Sequence, residues 1–269
     1  MTKLQQELYT MLEKLVDILN DNQIKYWLAY GTTLGAIRHN GFIPWDDDVD
    51  IYIDGKDYAK LQKIFSVGEV NGLRLDDYLL CKDYPYTFPK IVNAHTKLIE
   101  KRFEHLNYIS GIYIDIFPLY SVSTNKILRY IGYKYRYFNY AIVESKWAKI
   151  DSNSSKAKRI FSKILSVFNA ENAQKRLYKN YCHGIKDGSV FLCAPLQFND
   201  KHLHYFAHFN GYVDHVFEKK MMHVPIKYEE YLISQYNNYM EYPPENEKHP
   251  SHNFVYIEYS DGTIEKDDQ

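Results

Sequence analysis

Asp46, Asp47, Asp48 and Asp50 put four carboxylates into five consecutive positions, and this constrains the chain more than any other feature of its sequence. Like charges so close repel one another unless a cation or a hydrogen-bond network compensates them. The surroundings are not those of a solvated loop. Phe42 and Trp45 lead into the run, and Val49, Ile51 and Ile53 alternate with Asp48, Asp50 and Tyr52. That period of two predicts a half-buried strand over 48–53. On such a strand Asp48 and Asp50 leave from one face about 7 Å apart, close enough for both to reach one Mg²⁺. An EF-hand loop is excluded, because its sixth position requires glycine and is Ile51 here. A spaced carboxylate pair also serves sugar-nucleotide glycosyltransferases, and the aspartates alone leave that reading open.

The flanking segments add a second element. Leu4, Leu8, Met11, Leu12, Leu15, Ile18 and Leu19 recur at helical spacing, predicting an amphipathic helix over 3–20. Ile24–Tyr30 is rich in strand formers and runs into Gly31-Thr32-Thr33 and a short helix through Arg38. Glycine at such a turn lets the backbone approach a phosphate, to which the opening helix offers free N–H groups and its positive end. A helix over about 55–66 follows, then strands over 86–92 and 111–117. In GIYIDIFPL, Asp115 shares one face with Tyr113 and Phe117 while Ile112, Ile114 and Ile116 take the other, and Pro118 is expected to close the strand. If the two acidic strands are neighbours, Asp48, Asp50 and Asp115 form the kind of cluster with which phosphoryl-transfer enzymes hold metal ions and activate a hydroxyl.

From residue 124 the pattern turns helical, with helices expected over 124–148 and 156–182 and a linker-like Asp151–Ser155 between them. Residues 187–225 are mixed, a helix is expected over 226–240, and the tail after Pro243-Pro244 is polar. The expected division is a catalytic core over 1–123, a basic helical lobe over 124–186 and a segment over 187–269 that completes the core. Between Lys126 and Lys186 stand 14 Lys and Arg against three acids, and the rest of the chain has 19 against 31. The net charge of -1 thus hides a basic middle on an acidic body, which suggests an anionic partner; a solvated helix face is the competing reading. Residues 127–149 mix Tyr130, Tyr133, Tyr135, Tyr137, Phe138 and Trp147 with Arg129, Lys134, Arg136 and Lys146, the composition of an interfacial helix. Their even spread forms no clean apolar stripe, so packing against the sheet is favoured, with weak, salt-sensitive contact to anionic lipid. No run approaches the roughly 20 apolar residues of a membrane span, and the N-terminus has no apolar leader. A cytoplasmic protein is expected, at most peripheral at the inner face of the membrane. Cys81, Cys182 and Cys193 are too few and too dispersed for a disulfide framework. The 27 tyrosines offer aromatic faces for a quaternary ammonium, although compositional bias explains most of them.

The order Gly-Thr, then Asp-hydrophobic-Asp-hydrophobic, then a third Asp on a later strand resembles the DNA polymerase β-type nucleotidyltransferase fold. The longer string GTTLGAIRHNGFIPWDDDVDIYI, with IDIFPL and VPIKYEEYL, is similar to the LicD-type phosphocholine transferases, a family that includes the fukutin-type ribitol phosphate transferases. The resemblance runs from about residue 1 to 253 and is weakest over 124–186. It implies an α/β (α+β) fold, a nucleotidyltransferase-like mixed sheet with flanking helices and a helical lobe. It also implies metal-dependent transfer of phosphocholine from CDP-choline to a hydroxyl of a cell-surface glycan, such as a teichoic acid, lipopolysaccharide or capsule precursor. Transfer of ribitol or glycerol phosphate from a CDP-alcohol is the alternative among enzymes. An inactive relative acting as a binding module is the alternative outside them, and retention of every acidic position argues against it. By position, Asp48, Asp50 and Asp115 are the implied catalytic and Mg²⁺- or Mn²⁺-binding residues, with Asp46 and Asp47 holding a second cation or orienting Arg38. Gly31, Thr32, Arg38 and Lys90 are the implied donor-phosphate contacts. The implied partners are a CDP-activated alcohol and a glycan, free or lipid-linked, and no nucleic acid. Two departures stand out: Tyr236-Asn237 where family members commonly read Tyr-Gly, and Lys248, near His249 and His252, where arginine is more usual.

Overall fold

The computed structural model describes residues 1–149, 155–201 and 203–266. In chain order the N-terminal part comprises α1 (Lys3–Asp21), β1 (Tyr26–Leu28), α2 (Tyr30–His39), β2 (Asp50–Asp54), α3 (Tyr58–Phe65), β3 (Glu69–Val70), β4 (Leu73–Asp76), β5 (Lys90–Asn93), β6 (Lys97–Glu100) and β7 (Tyr113–Val122). Three helices follow, α4 (Lys126–Trp147), α5 (Lys156–Leu165) and α6 (Ala170–Tyr181). The remainder is β8 (Phe191–Cys193), β9 (His204–Tyr205), α7 (Phe206–Phe209), β10 (Tyr212–Phe217), β11 (Lys220–Pro225), α8 (Tyr228–Tyr236), β12 (Phe254–Glu258) and β13 (Ile264–Lys266).

The main sheet runs β1-β2-β7-β5-β4-β3, with β8 and β9 extending from the far end of β7. Only β2 and β7 pair in parallel within it, so the sheet is mixed and helices flank it, as expected for this α/β class. The parallel pair is central and its apolar residues are fully buried: Ile51, Ile53, Ile114 and Ile116 have no exposed surface. α1 forms where expected, because Thr2 and Gln5 close a reciprocal capping box and Leu8, Leu12, Leu15 and Leu19 give it one apolar face against the sheet. A two-stranded unit of β10 and β11 and a three-stranded one of β13-β12-β6 complete the fold.

Three local expectations need correction. β2 starts at Asp50, so Asp48 stands on the loop just before the strand rather than within it. Pro118 does not end β7, which continues to Val122. The reason lies in the alternation of its N–H groups. Asp115 donates toward β2 and Ile116 toward Pro89 on the other side, so residue 118 faces the stretch between the start of β5 and the end of β8, where no partner needs a donor. The helix expected over 156–182 is two, because Asn169 caps a new start by accepting from the N–H of Asn172. Within the polar tail, β12 pairs with β6. Of the expected linker 151–155, residues 151–154 lie outside the described residues.

Candidate active site

The parallel register sets Asp50 directly beside Asp115. The N–H of Asp115 donates to Val49 O at 2.9 Å, which pins the acidic loop to β7. Two contacts from outside the sheet fix that loop further. Thr32 Oγ1, in the first turn of α2, accepts from the N–H of Asp50 at 2.9 Å. Gln5 Nε2 on α1 donates to the carbonyls of Ile43 and Asp46 at 3.2 and 2.9 Å. The first helix thus orients the acidic run as well as covering the sheet.

Lys90 faces Asp115 across the β5–β7 pair, with Nζ 2.5 Å from Oδ1. Its side chain is enclosed at 1% exposure, with Nζ 3.4 Å from the ring centre of Tyr113, 4.2 Å from Tyr86 and 5.2 Å from Phe88. These rings form a cage for a cation, occupied by the protein's own ammonium. The hydroxyls of Tyr86 and Tyr113 in turn donate to Glu100 Oε1 at 2.5 and 2.7 Å, so the cage is braced from behind.

The C-terminal tail brings a histidine to the acidic loop. His252 Nδ1 lies 3.1 Å from Asp47 Oδ1 and 3.9 Å from Asp48 Oδ2, and the N–H groups of Ser251 and His252 donate to the two oxygens of Asp47. The ring stacks on Phe254 at the start of β12, which pairing with β6 holds in place. Among the described residues, Asp47, Asp48 and His252 offer ligand atoms within 4.8 Å of one another, close enough to hold one ion. That trio contains Asp48 of the expected Asp48, Asp50 and Asp115, together with Asp47, which was expected to hold a second cation or orient Arg38. The eleven histidines form no HExxH or paired zinc spacing in the sequence, which argued against a ligand role for His249 and His252.

The electrostatics show an uncompensated negative charge. Burial, the charge of Asp48 and a hydrogen bond to it push Asp46 up to about 8. Burial, with the charges of Asp48, Asp115 and Asp46, holds Asp50 well above the carboxylate range, and Asp50 makes no ion pair among the described residues. Asp115 is raised by burial against the opposing pull of Lys90. Burial works against a charged His252, yet its bond to Asp47 and the nearby carboxylates outweigh that and push it up to about 9.

The remaining expected residues fall as follows. A Cβ on Gly31 would come 2.9 Å from Asp46 Oδ2, so the bare glycine lets that carboxylate lie against the first turn of α2 where a donor phosphate was expected. Thr32 is turned to the backbone of Asp50. Arg38 is apart from the acids: its guanidinium donates to the carbonyls of Tyr239 and Glu241 and lies over the ring of Tyr242. Asp47 is engaged by His252 and Ser251 rather than by Arg38. Asp48, Asp50, Asp115, Lys90 and His252 line a cleft of about 860 Å³, which Phe117, Tyr140, Lys101, Arg102 and Lys149 also border.

Aspartates on adjacent parallel strands of a mixed sheet thus open on a cleft with cationic and aromatic walls. The family described as LicD/FKTN/FKRP, nucleotidyltransferase domain, matches residues 23–144, which contain all these aspartates. The chain is thus similar to the LicD family over this domain. It is 28% identical over 238 residues to the lipopolysaccharide cholinephosphotransferase LicD of Haemophilus influenzae, covering 86% of this chain and 87% of that protein. A segment of 50 residues is 40% identical to human ribitol 5-phosphate transferase FKRP, 19% of this chain and 10% of that protein. An uncharacterised Rickettsia prowazekii protein is 42% identical over 78 residues, 28% of this chain and 29% of its own length.

Proposed function

We propose that the protein is a divalent-metal-dependent phosphotransferase that moves phosphocholine from CDP-choline to a hydroxyl of a cell-surface glycan. The observation that carries this reading is the group of buried Asp50 and Asp115 with half-buried Asp48, whose negative charge Lys90 and His252 do not balance. Carboxylate oxygens suit Mg²⁺ or Mn²⁺, and Asp50, buried without a positive partner, is the residue most in need of one. Asp48 and Asp50 would hold such an ion, with Asp47 and His252 beside it. Bound there, the cation would neutralise the pyrophosphate of the donor.

Lys90 keeps one oxygen of Asp115 engaged, leaving the other to take the proton from the acceptor hydroxyl. The acceptor oxygen then bonds to the phosphorus that carries choline, the bond from that phosphorus to the CMP oxygen breaks, and CMP leaves. The similarity to LicD over most of both chains supports choline as the donor alcohol. The shorter match to a ribitol 5-phosphate transferase supports ribitol phosphate as the second reading. Incubation with Mg²⁺, acceptor glycan and in turn CDP-choline, CDP-ribitol, CDP-glycerol and a UDP-sugar distinguishes them by the nucleotide released. CMP from CDP-choline is the expected result. Nucleotide released from the UDP-sugar alone would overturn the proposal.

A further inference from the structure

α4 is apolar on two sides, and only one of them is buried. Tyr133, Arg136 and Val143 face the body of the protein. Ile127, Leu128, Ile131, Tyr135 and Phe138 are all exposed, Ile127 to 71%. At about 100° per residue these five fall in one sector of roughly 100°, away from Tyr133, Arg136 and Val143, and only further along the helix is that sector covered, at Ile142. The even aromatic spread in the sequence divides between packed Tyr133 and Trp147, bare Tyr135 and Phe138 in this sector, and Tyr130 and Tyr137, exposed outside it.

The neighbouring helix continues the bare surface. α5 buries only Leu165, while Ile160, Phe161 and Ile164 are exposed along one side, and Val167 and Phe168 are exposed just beyond its end. The rings of Phe138 and Phe168 lie 6.0 Å apart, so the two apolar stretches meet. Lys156, Lys158, Arg159 and Lys163 take the other side of α5, and that helix contains no acidic residue. A helix with exposed aliphatic and aromatic residues on one side and only cations on the other is built for the headgroup region of a membrane. No helix among the described residues is long and apolar enough to cross one, so the contact is made by lying on the surface.

We propose that the outward faces of α4 and α5 are a docking surface for an anionic lipid bilayer. Charge selects this occupant over a second copy of the chain. A symmetric pairing through this face would bring the same lysines and arginines against one another, whereas acidic headgroups complement them. The docking helix is also a wall of the cleft, since Tyr140, Glu144 and Lys149 line it from the C-terminal part of α4 and just beyond. A bilayer held by this face thus sits against the element that borders the site.

The full chain, sedimented with vesicles of phosphatidylcholine alone or mixed with phosphatidylglycerol, tests this at about 0.05 and 0.5 M salt. Binding at least tenfold stronger to the anionic vesicles at low salt, and largely lost at high salt, is expected. Ile131→Ser with Ile160→Ser, and separately Lys158→Glu with Lys163→Glu, should each weaken binding at least fivefold while thermal melting stays unchanged, because all four side chains are exposed. Equal binding to neutral vesicles, or none to either, would overturn the proposal. So would a dimer in analytical ultracentrifugation that the isoleucine pair abolishes. Vesicle binding is read without turnover, so its outcome is independent of the donor the enzyme uses.

Discussion

At the residue scale, Asp50 is the most demanding group in the molecule. Folding takes it out of water beside Asp48 and Asp115 and raises its pKa well above the usual range, so its ionised form destabilises the fold at neutral pH. Asp50→Asn should therefore melt no lower than the unaltered protein when metal is chelated. The unaltered protein should gain stability on addition of Mg²⁺ or Mn²⁺, the variant should gain little, and its turnover should be lost. Differential scanning fluorimetry with and without chelator, paired with a CMP-release assay, checks both. Thr32 has a different duty. Thr32→Val leaves the N–H of Asp50 buried without an acceptor, which should cost about 1–3 kcal/mol in urea unfolding and lower turnover by loosening Asp50. Unchanged stability would show that the N–H finds another partner.

At the scale of elements, the acidic strands were readable because their signal is local. Alternation around Asp50 and Asp115 fixes which face each occupies, and burial on both sides of a central parallel pair leaves little freedom of register. Pro118 misled because a proline ends a strand only where its missing donor has a partner waiting, a property of the neighbours and not of the residue. His252 was illegible for a related reason: its partners Asp47 and Asp48 are near only after β12 has paired with β6. Arg38, two turns from Gly31 on the same helix, was assigned by proximity in sequence, but the carbonyls of Tyr239 and Glu241 hold it away from the acids. The base of α4 offers a test at this scale. Arg129 grips Asp200 with two bonds of 2.7 Å, and this bond to Arg129 lowers Asp200 to about 2. A carboxylate with a depressed pKa adds stability that is present above its unfolded pKa, near 4, and lost as the pH falls toward 2. Asp200→Asn should thus flatten the acid limb of stability between about pH 4 and 2. The pair is partly solvated, so the effect at neutral pH should be small. Chemical denaturation across that range measures it.

At the scale of the whole molecule, the last segment of the chain is part of the site. Ending the chain at Lys248 removes Ser251, His252 and β12 together, leaving Asp47 without its donors and β6 with a bare edge. Such a chain should melt lower than the full one and lose CMP release even with saturating Mg²⁺. Full activity in the shortened chain would show that the tail only covers the site.

Asp47 and the N–H of His252 are 205 residues apart in the chain. A ribosome adding about 5–20 residues per second needs roughly 10–40 s to travel that far. Throughout that interval the aspartates have been made and the groups that hold Asp47 have not. The nascent protein therefore carries a run of acids that no domain-sized N-terminal piece can fully settle, and the competent site closes only once the segment with His252 has been made and β12 has paired with β6.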